Sequence, residues 1–226
     1  MAPLRAVLFD VDFTLARPGP ELGPEAYRVL GEAHGLALDM QRYSDARVAA
    51  IADLERHPEL DHDEEIWVRF TEDIVRGMGG AGPEVAGVAR EIVSRWEHAH
   101  HFELYDDAEP ALAALRAMGL KLGLVSNTSR DLDAFVRHFS LDVDAWISSG
   151  SHGKVKPSPL IFAAALDLLG VEAADAVMIG DSLEDDVEGA QACGLRAILL
   201  DRGGRYPEHV GRIESLLELA QALAAT

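Results

Sequence analysis

The chain has 226 residues, 48% of them hydrophobic, which is enough to fill one large hydrophobic core or two modest ones. Its 39 acidic and 20 basic residues give a net charge of −19, which repels nucleic-acid phosphates and anionic lipids and disfavours binding to either. A site for an anionic ligand must therefore take its positive charge from a metal ion or from a few chosen side chains.

The cysteine content and the hydropathy pattern indicate the cellular compartment of the protein. Cys193 is the single cysteine, which rules out an intramolecular disulfide bond and a four-thiolate zinc site. The first residues lack the pattern of a secretory signal, and no run of 18 apolar residues predicts a transmembrane span. We therefore expect a soluble protein of the reducing cytoplasm.

The first predicted strand, residues 4–9, is followed by two carboxylates, Asp10 and Asp12. Residues i and i+2 of a strand point to the same side, so we expect these side chains to converge just before a loop at residues 16–20. Two like charges this close raise each other's pKa unless a cation or a shared proton lies nearby. The pair therefore predicts a metal ion, acid-base chemistry, or both.

Further apolar runs predict four more strands, at residues 120–125, 145–148, 176–179 and 197–200. Helical patterns accompany them, at residues 108–118, 131–138, 159–169 and 183–193. Continuous apolar strands that alternate with helices are typical of a parallel sheet covered on both faces. We predict a Rossmann-like, doubly wound α/β core.

A long insertion separates the first two predicted strands, roughly a hundred residues where a crossover needs about a dozen. Its pattern is almost wholly helical, with apolar residues such as Trp67, Phe70 and Ile74 at helical spacing. We assign residues 17–103 to an inserted helical domain. Residues 1–16 and 104–226 form the α/β core in this interpretation.

Polar residues follow the predicted strands at their carboxyl ends, where open parallel sheets bind ligands. The second strand is followed by Ser126 and Asn127, and the fourth by Asp181. Lys156, one of only three lysines, precedes a helix in a segment stiffened by two prolines. These strand ends therefore bring together a carboxylate, a hydroxyl, an amide and an ammonium group.

The ordered set resembles the haloacid dehalogenase-like superfamily. The motifs of that family are Asp-x-Asp-x-Thr after the first strand, a Ser or Thr after the second, a Lys, and Gly-Asp with further acids. All four occur here in order, and the helical insert lies where the family places its cap. Phe13 is a departure from the pattern, because Gly, Asp or Asn is more usual there.

The resemblance implies a Mg²⁺-dependent phosphatase that hydrolyses a small phosphorylated metabolite through an aspartyl-phosphate intermediate. Asp10 is then the nucleophile, and Asp12 is the general acid and base. The Asp10 carboxylate, the Asp12 backbone carbonyl and Asp181 are the expected Mg²⁺ ligands.

The remaining motif residues are assigned to the phosphoryl group and to the surroundings of the metal. Ser126 and Lys156 are expected to hold the phosphoryl oxygens, helped by the Asn127 amide. Asp185 and Asp186 are adjacent, so only one can point inward. Asp186 matches the final acid of the family better. We expect it to contact the metal ligands, or to bind the metal through a water molecule.

Other functions remain open on sequence grounds. A sugar-phosphate mutase would share every core residue and differ in the lifetime of its intermediate. A 2-haloacid dehalogenase is disfavoured because Asp12 is present, and a non-catalytic phosphate-binding or regulatory relative is disfavoured by the intact set of acids. No nucleic-acid or membrane partner is expected, and both a monomer and a homodimer are compatible with the sequence.

Overall fold

The computed structural model describes residues 3–54 and 61–224. The chain divides into two compact units. The first combines Met1–Arg17 with Leu104–Thr226, and the second is Pro18–Glu103. No helix within the described ranges is long and apolar enough to cross a membrane.

The first unit is built on a five-stranded parallel sheet, which confirms the predicted fold class. The strands of the described chain are Ala6–Phe9 (β1), Ala16–Pro18 (β2), Phe102–Leu104 (β3), Lys121–Ser126 (β4), Ala145–Ser148 (β5), Ala176–Gly180 (β6) and Arg196–Leu199 (β7). The order across the large sheet is β5-β4-β1-β6-β7. The carboxyl ends of β4, β1 and β6 therefore lie side by side, which brings the three polar loops that follow them together.

Helices alternate with these strands. The α-helices are Pro24–Ala33 (α1), Tyr43–Leu54 (α2), Glu64–Gly77 (α3), Glu84–Trp96 (α4), Ala108–Ala117 (α5), Leu132–Phe139 (α6), Ser149–His152 (α7), Pro159–Leu169 (α8), Gly189–Ala192 (α9) and Leu219–Ala224 (α10). Helices α5 to α10 belong to the first unit, and α1 to α4 belong to the second.

The central strand β1 is completely buried along its whole length. On one face of the sheet, Leu8 and Met178 pack in a single apolar cluster with Phe162, Ala165 and Leu169 of α8. Helix α5 also contacts β4, and helices cover both faces of the sheet. Each large apolar side chain buried in this way contributes about 1.5–3 kcal/mol to folding, which holds the carboxyl end of the sheet in place.

The second unit is a separate helical assembly in which α2 packs on α3, and α4 packs on both α3 and α1. Its core includes Tyr27, Ile74, Val88 and Ile92, each almost fully buried. Ile74 lies on the predicted helical stripe, so the helical periodicity of the insert is the physical basis of this core.

Two local predictions are wrong. The loop expected at residues 16–20 begins with a strand, because β2 pairs with β3 in a second, two-stranded sheet. A three-residue strand whose partner is far away in the chain leaves no local hydrophobic pattern. The continuous helix expected at residues 183–193 is instead a π-helical segment, Leu183–Glu188, followed by the short helix α9.

A partly buried ion pair, Arg202–Asp107, joins the loop after β1 to the C-terminal part of the chain. The Arg202 guanidinium donates to both carboxylate oxygens of Asp107, at 2.7 and 2.9 Å, and to the Thr14 carbonyl at 2.9 Å. Asp107 also accepts from the Ser215 hydroxyl at 2.7 Å and from the Leu216 amide at 2.9 Å. Burial opposes the charge on Asp107, but the hydrogen bonds from Arg202 and Ser215 outweigh it and hold the pKa of Asp107 below its ordinary value.

We expect Asp107→Asn to lower the free energy of unfolding at neutral pH by about 1–3 kcal/mol, because it weakens charge-assisted hydrogen bonds. A carboxylate whose pKa is lowered by folding stabilises the protein above its unfolded pKa, about 3.9, and this contribution disappears as the pH falls through the lower folded pKa. Urea unfolding across the pH range should therefore show the difference between variant and wild type shrinking below about pH 4.

The exposed carboxylate of Asp167 on α8 provides the control, since Asp167→Asn should leave the free energy of unfolding unchanged at every pH. A difference between Asp107→Asn and wild type that stays constant down to acid pH would contradict the assignment.

Candidate active site

The candidate site begins where β1 ends. Strand β1 stops at Phe9, and the Asp10 amide donates to the Ile179 carbonyl of β6 at 2.9 Å. Asp10 and Asp12 therefore both lie in the loop beyond the strand, whereas the interpretation of their i and i+2 spacing treats them as part of the strand itself. The chain turns back here because the amides of Leu15 and Ala16 both donate to the Val11 carbonyl.

Lys156 is the cation at the centre of the site. Its ammonium group donates to Asp10 Oδ1 at 2.7 Å and to Asp186 Oδ1 at 2.6 Å, and the residue is only 3% exposed. Burial lowers the pKa of the Lys156 ammonium, but the charges of Asp10 and Asp186 outweigh this effect and raise it above its ordinary value. Lys156 is therefore a permanently charged group that holds two carboxylates together.

Asn127 fixes the backbone of Lys156. The Asn127 side chain accepts from the Lys156 amide at 2.7 Å and donates to the Lys156 carbonyl at 3.0 Å. The same amide nitrogen also lies 3.3 Å from Asp185 Oδ2, to which it donates. Both ends of the Asn127 side chain therefore bind the segment that carries Lys156, and the expected contact of the Asn127 amide with a phosphoryl group stays a prediction.

Three carboxylates converge in the way that a metal site requires. One oxygen each of Asp10, Asp181 and Asp186 lies within 4.8 Å of the others. Burial, together with the charge of Asp10, raises the pKa of Asp181 to about 7. A bound cation relieves such repulsion, and an all-oxygen donor set suits Mg²⁺ or another hard divalent ion. The residues present therefore fit a divalent metal, with Asp186 as a third candidate ligand besides Asp10 and Asp181.

The π-helical segment after β6 brings Asp186 into this group. The Ser182 carbonyl accepts from the Asp186 and Val187 amides, and the Ser182 hydroxyl accepts from the Asp185 amide. Asp186 is 1% exposed, and its second oxygen accepts from the Ser182 amide at 3.0 Å. Gly180 is required here because a Cβ at that position would overlap the Asp186 carboxylate. Asp186, the acid preferred on sequence grounds, thus points inward, while Asp185 lies against Asn127.

Two buried hydroxyl groups have no hydrogen-bond partner within the described part of the chain. They are Ser126 Oγ, on the last residue of β4, and Thr14 Oγ1, four residues after Asp10. Ser126 is 1% exposed and Thr14 is completely buried. A buried hydroxyl without a partner is costly, so Ser126 Oγ is available to donate to an oxygen of a bound ligand.

Asp12 does not lie in the carboxylate cluster. Its two carboxylate oxygens accept from the same nitrogen of Arg130, Nη2, at 2.7 and 2.6 Å. Burial raises the pKa of Asp12, and the opposing charge of Arg130 only partly offsets this. The charge of Asp10 also raises the pKa of Asp12, and the charge of Lys156 lowers it.

Sequence reasoning missed two arginines of this site. Arg130 binds Asp12, and Arg205 donates to the Asp181 carboxylate and to the Asp181 carbonyl, both at 2.8 Å. Arg130 had a usable signal, because it follows Ser126 and Asn127 by a few residues in a chain with few basic residues. Arg205 had none, since it lies in a loop beyond the last strand without any motif.

Comparisons with known proteins show the family of this chain. A family model described as haloacid dehalogenase-like hydrolase matches residues 4–194. Glyceraldehyde 3-phosphate phosphatase of Methanopyrus kandleri is 31% identical over 221 residues, which cover 88% of this chain and 85% of that protein. Phosphoserine phosphatase of Thermus thermophilus is 30% identical over 230 residues, which cover 89% of this chain and 90% of that protein.

A solved structure shows the same similarity in three dimensions. The crystal structure of a HAD phosphatase from Thermococcus onnurineus matches with a TM-score of 0.66 and 28% identity, over 97% of this chain and 98% of that one. The family model alone spans most of the chain, from before β1 to beyond the π-helical segment. The chain therefore belongs to the haloacid dehalogenase-like hydrolase family.

Proposed function

We propose that this hydrolase is a Mg²⁺-dependent phosphatase that cleaves a small phosphorylated metabolite through an aspartyl-phosphate on Asp10. The observation that carries the proposal is the contact of the buried Lys156 ammonium with Asp10, inside a cluster of three convergent carboxylates. The named phosphatases among its relatives, at about 30% identity over most of the chain, support the same reaction class.

Asp10 is the proposed nucleophile because it meets the requirements of an attacking carboxylate. It is 6% exposed, so little water solvates it, and the Lys156 ammonium holds one of its oxygens. Its carboxylate bonds to phosphorus, which splits a difficult hydrolysis into two easier displacements. Asp10, the Asp12 backbone carbonyl and Asp181, with Asp186 nearby, would hold Mg²⁺, which would supply the positive charge that lets one anion approach another.

The transferred phosphoryl group needs hydrogen-bond donors at fixed positions. Ser126 Oγ has a free donor, and Lys156 has an ammonium that already lies beside Asp10. Donors that are held in place before the reaction stabilise developing charge without reorganisation. In this proposal Asn127 acts indirectly, because its amide positions Lys156 through two backbone hydrogen bonds.

Asp12 is the proposed general acid and base. It would protonate the leaving oxygen in the first displacement and accept a proton from water in the second. The Asp12 side chain is not one of the three convergent carboxylates, and it accepts hydrogen bonds from Arg130. The helical unit, Pro18–Glu103, is the proposed cap that selects the leaving group.

Asp10→Asn tests the nucleophile, because the amide keeps the shape of the carboxylate and removes its nucleophilic oxygen. Steady-state hydrolysis of 4-nitrophenyl phosphate with Mg²⁺ should fall by about 10³-fold or more. Asp142→Asn, at an exposed carboxylate that pairs with Arg116 elsewhere in the same unit, should keep wild-type turnover. Undiminished turnover by a folded Asp10→Asn protein would overturn the assignment.

The metal site makes a separate prediction. EDTA should abolish phosphatase activity, and added Mg²⁺ should restore it. Asp181→Asn removes one charge from the proposed ligand set and should raise the Mg²⁺ concentration for half-maximal activity by about tenfold or more. The exposed Glu188, on the outer side of the π-helical segment, gives the matched control, since Glu188→Gln should leave the Mg²⁺ dependence unchanged. Activity that persists in EDTA would contradict the proposed metal requirement.

A further inference from the structure

Arg130 is among the largest fully buried side chains of the described chain, with 1% of its surface exposed. It lies in the loop between β4 and α6, just beyond Ser126 and Asn127. Its Nη2 donates to both carboxylate oxygens of Asp12, at 2.7 and 2.6 Å. A buried guanidinium thus contacts the residue to which the proposed function gives the proton transfers.

Two further residues, Thr128 and Phe135, lie against Arg130. The Thr128 hydroxyl accepts from the Arg130 amide at 3.2 Å and lies 3.5 Å from Arg130 Nη2. The Phe135 ring of α6 lies 5.1 Å from the centre of the guanidinium, within cation–π distance. The Asp12 side chain keeps 18% of its surface exposed, whereas that of Arg130 keeps 1%. Arg130 is therefore the more buried of the two partners, and the Asp12 carboxylate lies against its guanidinium.

Burying a charged group costs several kcal/mol unless it is paired and hydrogen-bonded, so a fully buried arginine requires an explanation. A contribution to stability is a weak explanation for the buried arginine, since a buried ion pair is often no more stabilising than apolar side chains of the same volume. Proton transfer gives a stronger explanation, because it depends steeply on the direction and distance of the donor.

We propose that Arg130 is a positioning residue for the phosphatase reaction, which aims the Asp12 carboxyl group at the leaving oxygen and later at the attacking water. The inference rests on the proposed function and extends it. Arg130 itself exchanges no proton and touches no reacting atom. Its effect is exerted entirely through the orientation of Asp12.

The two half-reactions show where this orientation matters. In the first, an Asp10 oxygen bonds to phosphorus, the bond from phosphorus to the leaving oxygen breaks, and that oxygen keeps the electron pair and takes the proton of Asp12. In the second, a water oxygen bonds to phosphorus, the bond from phosphorus to Asp10 breaks, and the proton of the water goes to Asp12. The products are an alcohol and inorganic phosphate, and both carboxyl groups return to their starting states.

The leaving group of the substrate provides the test. A nitrophenolate is stable as an anion and needs little help from an acid, whereas the alkoxide released from glycerol phosphate or ethyl phosphate must be protonated as it departs. The ratio kcat/KM reports the first half-reaction alone. We expect Arg130→Met to lower kcat/KM about threefold or less for 4-nitrophenyl phosphate and about 10- to 100-fold for the alkyl phosphates.

Matched variants separate positioning from a structural role. Arg137→Met makes the same substitution at an exposed arginine of α6 that pairs with Asp133, and it should change neither substrate class. In an Asp12→Asn background, Arg130→Met should cause no further loss with alkyl phosphates, because its target is already gone. An equal loss of kcat/KM for all leaving groups, or a further loss in that background, would overturn the proposal.

Thermal unfolding of each variant shows whether it is folded. Arg130→Lys keeps the charge on a shorter side chain and should show the same selectivity with a smaller loss, so it carries the test if the Met variant does not fold. The proposal and the proposed function fail in different ways. Activity retained by Asp10→Asn would contradict the proposed function. An inactive Asp10→Asn, together with an equal loss of kcat/KM for all leaving groups in Arg130→Met, would contradict only the role of Arg130.

Discussion

The ammonium group of Lys156, buried between Asp10 and Asp186, is the interaction on which the candidate site depends. In a chain of net charge −19, a cluster of carboxylates inside the protein needs a cation that is always present. Lys156 meets this need without occupying the whole cluster, because it binds one oxygen of each carboxylate. The second oxygen of Asp10 and the carboxylate of Asp181 remain as candidate ligands of a divalent ion.

The strand order of the sheet and a few hydrogen bonds bring this cation and the acids together. Strands β4, β1 and β6 are neighbours, so the loops after them meet although they are far apart in sequence. Asn127, from the loop after β4, holds the backbone of Lys156. The π-helical turn after β6 directs Asp186 inward, as insertions of this kind often do at functional sites. Each part of the site is therefore fixed by an element of the sheet or by a hydrogen bond to its neighbour.

The sequence predicts the strands and the placement of Asp10, Ser126, Lys156 and Asp181, because apolar runs and the polar residues that follow them are local signals. It does not predict the contact of Asp12 with Arg130, which joins two loops far apart in the chain. Phe13 shows a further limit. Its φ of 64° lies in the left-handed region, which explains why Gly, Asp and Asn are more usual there. No local sequence pattern predicts that conformation.

A covalent bond between Asp10 and phosphorus can be detected by chemical trapping. Sodium borohydride reduces an acyl phosphate but not a free carboxylate, so it would convert a phosphorylated Asp10 to homoserine. Mass spectrometry of peptides from enzyme quenched during turnover should find this change at Asp10, and only when both Mg²⁺ and a phosphate ester are present. Reduction at a different carboxylate, or steady turnover that leaves every peptide unreduced, would contradict the account.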